Sequence, residues 1–163
     1  MNPVVAIVGT LDTKGEEVEF IKDELSRLEC NTVVIDVGTL HPPMCPCDVS
    51  REDVAIAAGI TMEAIHLKGD RRFAVESVIL GASRIAARLL KDGRLSGIVS
   101  VGGGTGTHIG MGIMRSLPLG VPKLMVSTVA SRDMSRLIGT KDIAVMHSVV
   151  DILGLNPISR KIL

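Results

Sequence analysis

Five short runs of mostly β-branched apolar residues punctuate the chain, at residues 3–8, 32–37, 97–101, 122–127 and 142–146. Each is too short for a helix and too continuously apolar to leave one face in water, which makes it a strand buried on both sides. Helical patterns separate them. Residues 16–28 place Val18, Ile21, Leu25 and Leu28 on one face, a long stretch covers 71–91, and shorter ones lie around 109–117 and 132–138. Buried strands alternating with helices predict an α/β fold: a doubly wound, mainly parallel five-stranded sheet of the Rossmann-like or flavodoxin-like kind, for which 2-1-3-4-5 is a common strand order.

The second crossover is the longest. Within it Ser50 caps a helix, Asp53 reaches back as in a capping box, and the helix ends near Gly59. A last helix starts from Asn156. With no internal repeat and no linker, residues 1–163 read as one domain, and an apolar fraction of 46% is ample for a single core.

Composition then narrows the function. Lys and Arg number 18 against 18 Asp and Glu, so no net field draws the chain to nucleic acid or to an anionic membrane. Any anion site has to be local. Phe20 and Phe73 are the whole aromatic complement, so a bound base would have to sit between aliphatic side chains. No run reaches the length of a membrane span and the start lacks a signal-peptide pattern, which predicts a cytoplasmic protein. The odd set of Cys30, Cys45 and Cys47 fits reduced thiols, and a lone Cys-Pro-Cys lacks the second ligand pair of a structural zinc site.

The chemistry concentrates in two glycine-rich loops. The first strand runs into GTLDTKG, residues 9–15, and then a helix opening on Glu16 and Glu17. A helix N-terminus leaves N–H groups unpaired and carries partial positive charge, so Gly9, Thr10 and Thr13 are placed to hold phosphate and Lys14 adds a mobile full charge. Asp12 repels a bare phosphate; it either caps the helix or holds magnesium, directly or through water. The spacing is not that of a Walker A loop.

The third strand runs into GGGTGT, where Gly102, Gly103, Gly104 and Gly106 weaken the fold locally and give nothing to a core. Their N–H groups form an anion nest, to which Thr105 and Thr107 add hydroxyls. In the order 2-1-3-4-5 the first and third strands are neighbours at the switch point, so both loops face one crevice.

Three further features point the same way. Asp70 is a good N-cap for the long helix, yet Arg71 and Arg72 follow in a first turn whose dipole disfavours them, which nominates Arg71 as a third phosphate contact. Asp36 closes the second strand about 20 residues after the first loop, where a dinucleotide fold has its ribose acid, although it can equally end a strand on a nearby turn. Ser127 and Thr128 close the fourth strand with hydroxyls at the crevice edge. His108, His147 and Asp151 do not assemble with a serine elbow, and Met111, Met114 and Met125 read as core.

In order along the chain, GTLDTKG, IDVG, GDR, GIVSVGGGTGT, RSLPLGVPKLMVSTVAS, IGTKDI, SVVDILGLN and SRKIL resemble the tobamovirus-resistance-protein-like ATP-binding domain family. The resemblance implies a two-lobed Rossmann-like module that binds ATP with magnesium in a cleft and tends to dimerise. Its phosphate contacts would match Asp12, Thr13 and Lys14 and the residues from Gly103 to Gly106, with a role for Arg71. This chain is then expected to be the first lobe, partnered by a second copy or by a second-lobe polypeptide. Two departures are visible: GGGTGT replaces GGSGGT, and Arg132 follows STVAS where glycine is usual, making the crevice edge more basic. The function expected is ATP/Mg binding with a regulatory or conformational output; the alternatives are an ATP-dependent hydrolase or phosphotransferase, and a dinucleotide-binding or assembly-partner half-protein.

Overall fold

The computed structural model describes residues 2–163. Its elements are β1 (Val4–Gly9), α1 (Leu11–Arg27), β2 (Asn31–Asp36), α2 (Arg51–Ala58), α3 (Met62–Lys68), α4 (Arg71–Lys91), β3 (Gly97–Gly102), α5 (Gly104–Ser116), β4 (Lys123–Ser127), α6 (Ser135–Ile138), β5 (Ala144–His147) and α7 (Ser159–Ile162). The sheet runs β2-β1-β3-β4-β5, and every neighbouring pair is parallel, as the apolar runs predict.

Side chains alternate between the two faces with the period of a strand. Ala6, Val8, Val33, Ile35, Ile98 and Met125 join residues of α2, α4 and α5 in the larger core, and Met111 and Met114 fill it as expected. Ile7, Val34, Val101 and Val126 turn the other way, against Val18 and Ile21 of α1. Cys45 is buried in that second cluster as a small hydrophobe; burial pushes its thiol up to about 11 and raises Cys47 as well, so both are protonated near neutral pH. Among the described residues no helix is long and apolar enough to cross a membrane.

The helix starts differ from expectation in an instructive way. α1 begins at Leu11 rather than residue 16 and α5 at Gly104 rather than residue 109, so each glycine loop is largely the first turn of its helix. Glycine argues locally against helix. At α1 a distant partner supplies the cap, Asp36 Oδ1 accepting the Leu11 N–H at 3.1 Å; α5 has no side-chain cap, and its first turn closes on its own backbone, the Gly103 carbonyl accepting the Thr107 N–H at 2.7 Å. α1 keeps a kink at Lys14 (φ −130°, ψ 23°). The Ser50–Asp53 capping box is present and Gly59 ends α2 at φ 87°. α3 was not foreseen; Thr61 caps it through the Ala64 N–H and Gly69 stops it in the left-handed region. α6 starts at Ser135 rather than 132, and α7 at Ser159, with Asn156 accepting the N–H groups of Ile158 and Ser159.

At the start of β4 the side chain of Lys123 is fully buried. Its ammonium donates to the carbonyls of Pro118 and Val121, both at 2.8 Å, and to Asp142 Oδ1 at 2.7 Å. The Lys123 hydrogen bond and the Gly120 N–H hold the Asp142 carboxyl down, from 3.8 to about 2. A depressed folded value means that this carboxylate favours the fold fully above the unfolded value of 3.8, and that its contribution fades as pH falls toward about 2. Urea midpoints measured down that acid range are expected to fall less steeply in Asp142→Asn than in wild type; superimposable slopes would remove the pair from the acid response.

Candidate functional site

Because β1 and β3 are adjacent and lead to helices on opposite faces, a crevice opens at their carboxyl ends. It encloses about 780 Å³. One side is the start of α1, with Thr10, Asp12, Thr13 and Lys14; the other is the start of α5, with Gly103, Gly104, Thr105 and Gly106; Arg71 reaches in from α4. The two loops and the arginine named from the sequence therefore do meet.

The α5 turn is the most informative part. A Cβ at Gly102 would stand 2.8 Å from the Gly106 Cα, so that glycine is needed for β3 to meet α5. The other three are not used in this way. A Cβ at Gly103 would meet only Thr128 Oγ1 at 3.7 Å, one at Gly106 only the Val101 carbonyl at 3.7 Å, and one at Gly104 nothing within 4 Å. None of the three has the positive φ that favours glycine. Neither backbone conformation nor internal packing accounts for them, and all three border the crevice.

The first turn of α4 divides its two arginines. Arg72 turns outward to Glu76 Oε1 at 2.7 Å, an i,i+4 pair the sequence reading passed over. Arg71 turns inward, its guanidinium donating to Thr105 Oγ1 at the mouth of the α5 turn. Lys14 donates to the carbonyl of Ile152, and Glu17, buried beneath it, accepts the Gly154 N–H at 2.9 Å. Residues 152–154 thus lie as a strap along the start of α1, and Leu153 joins the crevice lining.

The acids hold scaffold. Asp12 Oδ2 accepts the N–H groups of Leu40 and His41, at 3.0 and 3.2 Å, and so fixes the loop after β2; it does not cap α1. Asp70 Oδ1 holds the first N–H groups of α4. Asp36 is buried at 1% exposure with Oδ1 accepting from Leu11 and Gly38, so it ends a strand on a turn instead of facing a ribose. Burial pushes its carboxyl above the ordinary value, against the pull of those two N–H bonds, and the charge of Asp12 adds to the rise.

Other candidates fall outside the lining. Gly9 is packed, since a Cβ there would lie 2.6 Å from Val18. Thr107 and Ser127 are buried and bonded to each other at 2.7 Å, which sews α5 to the end of β4. Thr128 borders Gly103 without entering the crevice, and Arg132 is exposed on the loop beyond, so the edge is not made basic there. His108, His147 and Asp151 are exposed and outside this crevice.

The structure adds a wall the sequence reading missed. Leu40, Ile65 of α3, Val75 and Ile109 make it largely aliphatic, with Thr39 and His66 beside them. The signals for α3 were present in Thr61 as an N-cap, Met62 and Ile65 at helical spacing, and Gly69 as a stop. Leu153 had no local signal, because it arrives through the strap.

Comparison with known proteins places the whole chain. A family model described as Uncharacterised protein family (UPF0261) N-terminal domain matches residues 3–163. A UPF0261 protein of Clostridium tetani (strain Massachusetts / E88) is 45% identical over 163 residues, covering 100% of this chain and 40% of its own length. A UPF0261 protein of Mesorhizobium japonicum is 38% identical over 159 residues, with 98% and 39% covered. The ToMV resistance protein Tm-1(GCR237) of Solanum lycopersicum is 30% identical over 177 residues, with 99% and 24% covered. The chain therefore spans well under half the length of these curated relatives. Among solved structures, MurG of Acinetobacter baumannii aligns at a TM-score of 0.48 and 14% identity, over 94% of this chain and 43% of that one.

Proposed function

The chain belongs to the uncharacterised protein family UPF0261, as its N-terminal domain, and from that premise we propose that its crevice binds a nucleoside triphosphate, ATP with magnesium, as a regulatory or conformational module. The observation that carries the reading is the trio Gly103, Gly104 and Gly106, left open at a helix N-terminus without an internal reason. Phosphate oxygens are the ligand that such N–H groups suit, and Arg71 beside Thr105 supplies a bidentate cation at the same place. The base and ribose would lie along Leu40, Ile65, Val75 and Ile109, an apolar surface with no aromatic member. The motif resemblance to an ATP-binding family supports the choice of ATP.

Magnesium would come on the phosphates. Among the described residues no cluster of three or more His, Cys, Asp or Glu side chains could hold a metal ion alone. Asp12, with Oδ2 engaged, is left Oδ1 for a bridging water or a direct bond, which suits a cation that keeps most of its shell on water and phosphate. Its chemistry there would be charge neutralisation.

A binding module is favoured over a hydrolase by the state of the crevice's own titratable groups. Asp12 and Asp70 each hold two backbone N–H groups, and His66 Nε2 sits 2.8 Å from the Thr39 carbonyl. All three hold the walls in place.

Calorimetry with MgATP tests the reading. Heat of binding is expected for the wild type, and Arg71→Ala is expected to weaken it about tenfold or more, the scale of a charge-assisted hydrogen bond. No heat and no thermal shift at millimolar MgATP would end the proposal.

A further inference from the structure

The handedness of the crossovers leaves part of the sheet uncovered. From β1 the chain moves one way to β2, which puts α1 on one face. Every later step, β2 to β3 to β4 to β5, moves the other way, so right-handed connections put α4, α5 and α6 on the opposite face. No crossover of this chain covers β3, β4 and β5 on the α1 side; the C-terminal segment reaches part of that face, with Ile152 packed in the cluster there and Ile162 and Leu163 at the rim of what stays open. All-parallel sheets are normally covered on both faces.

What lies there is an apolar groove of about 640 Å³. Val99, Leu124 and Met146 form its floor, and Ile21 and Leu25 of α1 with Leu28 just beyond its end form one wall. Leu124 is 37% exposed, Met146 36% and Leu28 73%. Val99 pairs with Leu124, and Val126 of the same face with Met146, so these side chains form one continuous surface. At about 4.8 Å between strands, β3 to β5 spans about 10 Å, the diameter of one α-helix.

We propose that this groove docks an amphipathic helix supplied by the part of the UPF0261 polypeptide that lies outside this domain. The relatives provide such a part, since the Clostridium tetani protein keeps the larger share of its length outside the match. Belonging to the same chain, that helix reaches the groove at high effective concentration. A second copy of this domain is a poorer occupant. The element it would offer alongside its own groove is α1, whose exposed side carries Glu16, Glu19 and Asp23, and burying these carboxylates on leucine and methionine is costly.

Thiol labelling tests this without depending on the nucleotide reading, since the groove lies apart from the crevice. Leu124→Cys and Met146→Cys are made in this chain, and cysteines are placed at the aligned positions of the full-length Clostridium tetani relative. Leu119→Cys, at 69% exposure on a loop outside the groove, is the control in both. Maleimide modification is read peptide by peptide. In this chain all three sites are expected to label at comparable rates; in the full-length relative the two groove sites are expected to slow about a hundredfold while the control does not. A photo-crosslinker at position 124 of the relative is expected to capture a segment outside the matched region of the same molecule. Equal labelling in the two proteins, or capture of a second molecule or a lipid, would overturn the proposal.

Discussion

Gly81→Ala is expected to destabilise the protein by about 3 kcal/mol, the upper range for forced overpacking, and to take the crevice with it. A Cβ there would stand 1.9 Å from the carbonyl oxygen of Val54 and 3.2 Å from the Ala58 nitrogen, and backbone cannot yield as a side-chain tip does. α4 and α2 cross at this point, so relief means separating the helices. α3 follows α2 and packs through Met62 and Ile65 against Ala55 and Ala74. The wall formed by Ile65 and His66 would move as well. Urea unfolding is expected to show the loss, with MgATP heat much reduced even where the variant remains folded. A midpoint shift equivalent to under about 0.5 kcal/mol would show that the crossing is looser than the contact implies.

Gly106→Ala should do the opposite to stability and still weaken binding. Its added methyl finds only the Val101 carbonyl, at an ordinary 3.7 Å, and glycine inside a helix costs about 0.5–1 kcal/mol relative to alanine. The unfolding free energy is therefore expected to rise by about that amount. Affinity for MgATP is expected to fall at least about tenfold, because the methyl fills space that a phosphate oxygen needs against the N–H groups. Gly104→Ala, whose Cβ would stand in open space, is expected to follow the same pattern. A stabilised variant that binds normally would remove the reason for regarding these glycines as kept for a ligand. A Gly102→Ala control separates the two roles, since there the methyl meets backbone at 2.8 Å and the fold itself should suffer.

What was legible in the sequence follows the range of the interactions involved. Strands depend on local apolar pattern and burial, and all five fell within two residues of the runs that predicted them. The order 2-1-3-4-5, common in such sheets, sets the two glycine loops with Thr10, Lys14 and Thr105 on one crevice, and Arg71 was legible separately, as a cation in the first turn of a helix. The errors concern polar side chains whose partners are distant. Asp36 looked like a ligand residue because nothing local says that Leu11 and Gly38 will use its oxygen. Thr107 and Ser127 looked available because their mutual bond spans two elements. Lys14 looked mobile because the Ile152 carbonyl that receives it lies far along the chain. A hydroxyl or carboxylate at a strand end advertises chemistry, but its partners decide whether any capacity is left over.

α1 touches both of the places singled out above. Its first residues border the crevice, and Ile21 and Leu25 wall the apolar groove. A tilt of that rod is felt by both guests, unless the joint at Lys14 absorbs it. Thermodynamic linkage sets the terms of the exchange: whatever factor an occupant of the groove lends to affinity in the crevice, a ligand in the crevice returns to the groove in full.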